Sequence, residues 1–103
     1  MKPTITITYC PKCGWLLRSS YMASELLTTF ADELNGVWLK PAETAGEFRI
    51  SVDGEVLADR KADGGFPEIT ALKRLVRDRV APNKPLGHTD RVHGETDLKK
   101  SEK

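Results

Sequence analysis

The sequence predicts an α/β domain of order β-α-β-β-β-α, built as a mixed four-stranded sheet with two helices on one face. Three observations carry that expectation. TITITY, residues 4–9, alternates strictly; the apolar residues between 14 and 34 recur at helical intervals; and an Asp-Gly pair at 53–54 divides two apolar arms ahead of a second helical stretch.

The first element is a period-two strand rich in β-branched residues, with Ile5, Ile7 and Tyr9 on one face and Thr4, Thr6 and Thr8 on the other. It stops at Pro11. From about Gly14 to Leu34, Met22, Leu26, Phe30 and Leu34 repeat every four residues, with Ala23 and Leu27 beside them, as one long amphipathic helix requires. Asn35-Gly36 supplies residues that tolerate a positive φ and ends it. GVWLKPAE (36–43) reads as a short strand with Val37 and Leu39 inward. EFRISVDGEVLADR (47–60) reads as a hairpin, with Phe48, Ile50 and Val52 on the first arm and Val56 and Leu57 on the return. KADGGF is then a loop, and Pro67 suits the first turn of a helix carrying Ile69, Leu72, Leu75, Val76 and Val80.

The first connection is long enough for a right-handed crossover, which makes strands one and two parallel, while the later strands pair antiparallel. This is the thioredoxin-like core, and cover on one side only accounts for the threonine face of the first strand. The folded domain is expected to span residues 1–81. Residues 82–103 hold only Leu86, Val92 and Leu98 as large apolar side chains, too few to offset ordering entropy, and read as a disordered polar tail.

Composition excludes several function classes. At 103 residues, 39% hydrophobic and 30% charged, the chain suits one small globular domain. No stretch approaches the roughly 18 apolar residues of a membrane span, and the N-terminus shows no apolar run of a signal peptide, so the cytoplasm is the expected location. The 16 basic and 15 acidic residues are interspersed, which argues against a nucleic-acid partner.

The chemistry centres on YCPKCGW, residues 9–15. In a reducing compartment a close cysteine pair is reactive or metal-bound rather than a structural disulfide. A structural zinc site needs four ligands. Here there are only Cys10 and Cys13, while His88 and His93 lie more than seventy residues away in the tail. No metal is therefore expected, and a site shared between two chains stands as an alternative. The redox reading rests on position, since the pair bridges a strand end and a helix start. N–H groups and the helix dipole there stabilise a thiolate, with Lys12 and Arg18 adding positive potential.

Around the pair, Pro11, Lys12, Gly14 and Trp15 are immediate neighbours, Trp15 serving either as a wall of the site or as packing. Phe66 and Pro67 are expected near the cysteines, because the two helix starts approach each other in this architecture. Gly64 and Gly65 serve a tight turn, and Lys73, Arg74, Arg77 and Arg79 read as a solvated face. Ser19 and Ser20 find no histidine in the folded region to act as base.

YCPKCGW, then GEFRISVDG (46–54), then GGFPE (64–68) followed by LKRLVRD (72–78), taken in that order, resemble the selenoprotein W-like redox family, also called Rdx, which includes selenoproteins T, V and H. The chain looks like a cysteine-containing, bacterial-type member, alike from residue 4 to about residue 80. The resemblance implies a thioredoxin-like fold and thiol or selenol redox chemistry linked to glutathione and peroxide. In selenium-bearing relatives selenocysteine takes the second position of the pair, which is Cys13 here. The chain also lacks the glycine expected directly after Pro41.

The function expected is thus a thiol–disulfide redox protein using Cys10 and Cys13, without a bound cofactor. Glutathione or another small thiol, or a protein thiol or disulfide, would be its partner. The alternative is a protein-binding module gated by the state of the disulfide. Thioredoxin practice makes Cys10 the attacking thiol, and the selenocysteine position of relatives makes it Cys13 with Cys10 resolving, which is the preferred assignment.

Overall fold

Strand β1 (Thr4–Tyr9) runs through the middle of the sheet and sets the register of everything around it. The structure, a computed structural model, describes residues 1–87. On one side β1 pairs in parallel with β2 (Gly36–Pro41), Ile5 opposite Val37 and Ile7 opposite Leu39. On the other it pairs antiparallel with β3 (Phe48–Val52), Tyr9 opposite Phe48, and β3 pairs antiparallel with β4 (Glu55–Asp59). The order β2-β1-β3-β4 is the mixed sheet that the sequence predicts.

The Asp53-Gly54 turn forms as expected, both residues at positive φ (49° and 91°), the geometry whose twist matches a tight hairpin. It is also tied to β1: the Thr4 amide donates to Asp53 Oδ1 at 3.0 Å, and the Asp53 amide to the Thr4 carbonyl at 3.0 Å. The return arm differs from expectation. A register shift between Ile50 and Ser51 sets Val56 opposite Ser51, so Val56 is exposed, Leu57 is half-buried and Ala58 supplies the core contact instead.

The helix after β1 is shorter than its apolar period implies. Helix α1 covers Leu16–Thr29, and Phe30 is its C-cap. Phe30 and Leu34 are still buried, because the chain leaves the helix in a turn whose Glu33 and Leu34 amides both donate to the Phe30 carbonyl. A helix followed by such a turn keeps the spacing of four that a longer helix would have. Leu27, expected on the apolar stripe, is exposed.

A short helix α2 (Arg60–Asp63) replaces part of the expected loop, giving three helices rather than two. Asp59 caps it by accepting from the Lys61 amide, and Asp63 accepts from the Asp59 amide. Helix α3 covers Ile69–Val80 with Glu68 as N-cap, so Pro67 precedes the helix instead of standing in its first turn. Both long helices lie on the Ile5–Ile7–Tyr9 face of the sheet: Met22, Ala23 and Leu26 from α1 and Leu72 and Val76 from α3 join Phe48, Ile50 and Val52 in one core. The opposite face carries the half-buried threonines.

Two further corrections concern the end of the domain. Lys73 is not on a solvated basic face: it is 8% exposed and pairs with Glu25 of α1 at 2.8 Å. Arg79 pairs with Glu55 and Arg77 with Asp78. The packed structure also continues past residue 81. Leu86 belongs to the core, Arg77 donates to the Lys84 carbonyl at 3.1 Å, and Lys84 pairs with Glu33 at 3.2 Å. The remainder of the expected tail, with His88 and His93, lies outside the described residues. Among the described residues no helix is long and apolar enough to cross a membrane.

Candidate redox site

Cys10 follows β1 directly, and residues 11–14 form the turn that leads towards α1. The Gly14 amide donates to the Pro11 carbonyl at 3.2 Å, and Gly14 takes a φ of +76°, a left-handed conformation that a side chain would strain. This turn folds Cys13 back onto Cys10. The two are joined as a disulfide, their Cα atoms 5.3 Å apart.

The two sulfurs sit in different surroundings. Cys10 is 1% exposed, whereas Cys13 is exposed, as are Pro11, Lys12 and Gly14 around it. Cys10 is closed over by the segment after β2. The Ala42 amide donates to the Tyr9 carbonyl at 2.7 Å. A cleft of about 120 Å³ remains between Cys10, Pro11 and Lys12 on one side and Ala42, Glu43, Thr44 and Ala45 on the other.

The helix start is not where the sequence places it. Trp15 is the N-cap and Leu16 the first helical residue, so Cys13 stands two positions ahead of the cap. The field of a helix end falls off within one turn, so the stabilisation expected from the dipole is weaker at Cys13 than a first-turn position would give. Ser19 is fully buried and its hydroxyl donates to the Trp15 carbonyl at 2.9 Å, which commits it to holding the first turn.

Trp15 is half-buried in an aromatic cluster beside the turn. Its ring lies 4.9 Å from that of Phe66 and 6.3 Å from that of Phe48, and Phe48 lies 5.0 Å from Phe66, all edge-to-face. Arg18 stacks on Phe66 at 3.9 Å, and Arg60 lies 4.9 Å from Trp15 and 5.4 Å from Phe66. Phe66 therefore reaches the redox turn through Trp15, and Pro67, half-buried, follows it. Arg18 is held against an aromatic ring in this arrangement.

Sequence reasoning missed Phe48 and Arg60 as members of this cluster. Phe48 was legible as a core residue only. The signal for more was register, because Tyr9 pairs with Phe48 and so sets it beside the start of the cysteine turn. Arg60 had no comparable signal, since its position depends on the short helix α2. Among the described residues no three His, Cys, Asp or Glu side chains cluster as ligands for a metal ion.

Comparison with known proteins adds to this geometry. The family model described as the Rdx family matches residues 4–78. A crystal structure from Bordetella parapertussis, a structural genomics target, is 51% identical, with a TM-score of 0.75, covering 78% of this chain and 100% of that one. The crystal structure of a selenoprotein W-related protein from Vibrio cholerae is 46% identical, with a TM-score of 0.73, covering 76% of this chain and 96% of that one. No curated protein matches.

Proposed function

The chain belongs to the Rdx family, and from that premise we propose that it is a cytoplasmic thiol–disulfide redox protein cycling between the Cys10/Cys13 dithiol and its disulfide. The single observation that carries the assignment of roles is the difference in exposure: Cys13 is open to solvent and Cys10 is 1% exposed. Attack on an external sulfur needs the accessible thiolate, so Cys13 attacks. Resolution is intramolecular and needs only a neighbour, and Cys10 lies within disulfide reach.

In the reducing direction, the Cys13 thiolate attacks one sulfur of an external disulfide and expels the other as a thiolate. The Cys10 thiolate then attacks the Cys13 sulfur and releases the second half of the substrate. Two electrons leave the chain, and the expelled thiolates take up protons from water. A peroxide would instead convert Cys13 to a sulfenic acid, which Cys10 resolves with loss of water. Two equivalents of glutathione return the disulfide to the dithiol and leave glutathione disulfide. No bound cofactor takes part.

The test uses Cys10→Ser and Cys13→Ser proteins with glutathione disulfide and intact-mass detection. Cys10→Ser is expected to trap one glutathionyl adduct on Cys13, and Cys13→Ser to react far more slowly. Adduct accumulating faster on Cys10 in Cys13→Ser would reverse the roles. If both cysteines in the reduced wild type react no faster than a free peptide thiol and no intrachain disulfide forms, the redox reading fails.

A further inference from the structure

The solvent side of α1 is unusual for a chain that is 30% charged. Its exposed residues are Leu16, Leu17, Tyr21, Ser24, Leu27 and Thr28, together with Arg18. The helix has only two charged residues, and both are turned to other tasks: Arg18 stacks on Phe66 at 3.9 Å, and Glu25 pairs with Lys73 at 2.8 Å. Even the Thr28 hydroxyl donates back into the helix, to the Ser24 carbonyl at 2.8 Å. An uncharged strip about 21 Å long therefore faces water, given about 1.5 Å of rise for each of 14 residues. Leu17 is 83% exposed and Tyr21 53%. A surface helix normally carries charge there, and an exposed apolar strip of this kind marks an interaction surface.

The strip begins three residues after Cys13, which makes it continuous with the exposed redox turn. A mixed disulfide on Cys13 brings the Cα of the partner's cysteine to within about 4–7 Å. A partner that is a tripeptide ends there. A partner that is a protein continues, and an arm of its chain laid along α1 meets exposed Leu16, Leu17 and Tyr21, three to eight residues beyond Cys13. We propose that this face of α1 is a docking surface for a protein substrate whose reactive cysteine is flanked by an apolar segment. The inference rests on the redox reading above and adds the substrate class: a protein disulfide in preference to a small one. The exchange itself is the one already written, with the substrate's sulfur held on Cys13 until Cys10 displaces it.

The strip acts only if the partner is a polypeptide, so two substrates separate the outcomes. Reduced wild type and a Leu17→Ser/Tyr21→Ser double variant are reacted with insulin, as a disulfide with apolar flanks, and with glutathione disulfide. Loss of the strip is expected to lower the ratio of the insulin rate to the glutathione rate by about tenfold or more, about 1.4 kcal/mol, which needs only partial burial of the two side chains in the docked state. Both residues are exposed, and equal urea midpoints for the two proteins confirm an intact fold. An unchanged ratio overturns the proposal, as does a wild type that reduces glutathione disulfide but not insulin; in both cases the redox reading stands. A wild type inert to both substrates would instead remove the redox reading. Sedimentation showing a wild-type dimer that the double variant abolishes would make the strip a self-association surface and also overturn the proposal.

Discussion

Replacing Phe66 by alanine tests whether the aromatic cluster is part of the fold that holds the redox turn. A fully buried Phe→Ala change costs about 3–5 kcal/mol, and Phe66 is half-buried, so the burial share alone is roughly 2 kcal/mol. Its edge-to-face contacts with Trp15 at 4.9 Å and Phe48 at 5.0 Å, and the Arg18 stack at 3.9 Å, add specific terms. Each is worth about 0.5–1.5 kcal/mol, and they overlap with burial. The expected total is about 2–3 kcal/mol by urea denaturation of the oxidised protein. Phe66→Leu keeps most of the apolar area and loses only the ring-specific part, so it should cost about 1 kcal/mol. Trp15 loses its partner in the alanine variant, and its fluorescence should shift towards that of a solvated indole. A Phe66→Ala protein within about 0.5 kcal/mol of wild type would refute the reasoning. So would a leucine variant as unstable as the alanine one, since area would then not be what Phe66 contributes.

Gly14→Ala meets no atom within 4 Å, so its cost is backbone strain alone at φ +76°, about 1–2 kcal/mol in urea denaturation. The Glu25–Lys73 pair is expected to respond asymmetrically: Glu25→Ala strands a buried ammonium and should destabilise by about 1–3 kcal/mol, while Lys73→Met should be near neutral. The reverse order in thermal unfolding would mean that the ion pair itself is the stabilising term. Leu86→Ala should cost about 2 kcal/mol or more if the segment after α3 is part of the core; no measurable change would return the boundary to residue 81.

What the sequence made legible was whatever local spacing determines. The alternation of TITITY, the Asp53-Gly54 turn and the order of elements each follow from interactions between near neighbours, and together they specify the sheet. The end of α1 was not legible, because Phe30 and Leu34 are buried equally well by a helix or by a helix and turn. Helix α2 is four residues long and gives no period, although Asp59, Asp63 and Gly64 are a cap signature that could have revealed it. Lys73 and Leu86 were misread because their burial depends on partners far along the chain, Glu25 in one case and the whole core in the other. At the site, the pair and its glycine were legible, and the contributions of Phe48 and Arg60 were not.

The unequal exposure of the two cysteines is itself a tertiary effect. Alternation along β1 sends Ile5, Ile7 and Tyr9 into the core, so the next residue, Cys10, would by the same rule face the open side with the threonines. It is buried instead, because the chain leaving β2 continues alongside the end of β1 and its residues 42–45 stand beside Cys10. The Ala42 amide bonds to the Tyr9 carbonyl, and residues 42–45 form the far wall of the cleft beside Cys10. Ala42 stands where the family resemblance leads one to expect glycine, so that departure from pattern lies on the cleft beside the buried cysteine. Cys13, in contrast, is exposed within the turn that Gly14 closes at φ +76°. The unequal exposure of the outer and inner sulfurs thus follows from two backbone features, a left-handed glycine and the segment that continues past β2, rather than from any charged group at the site.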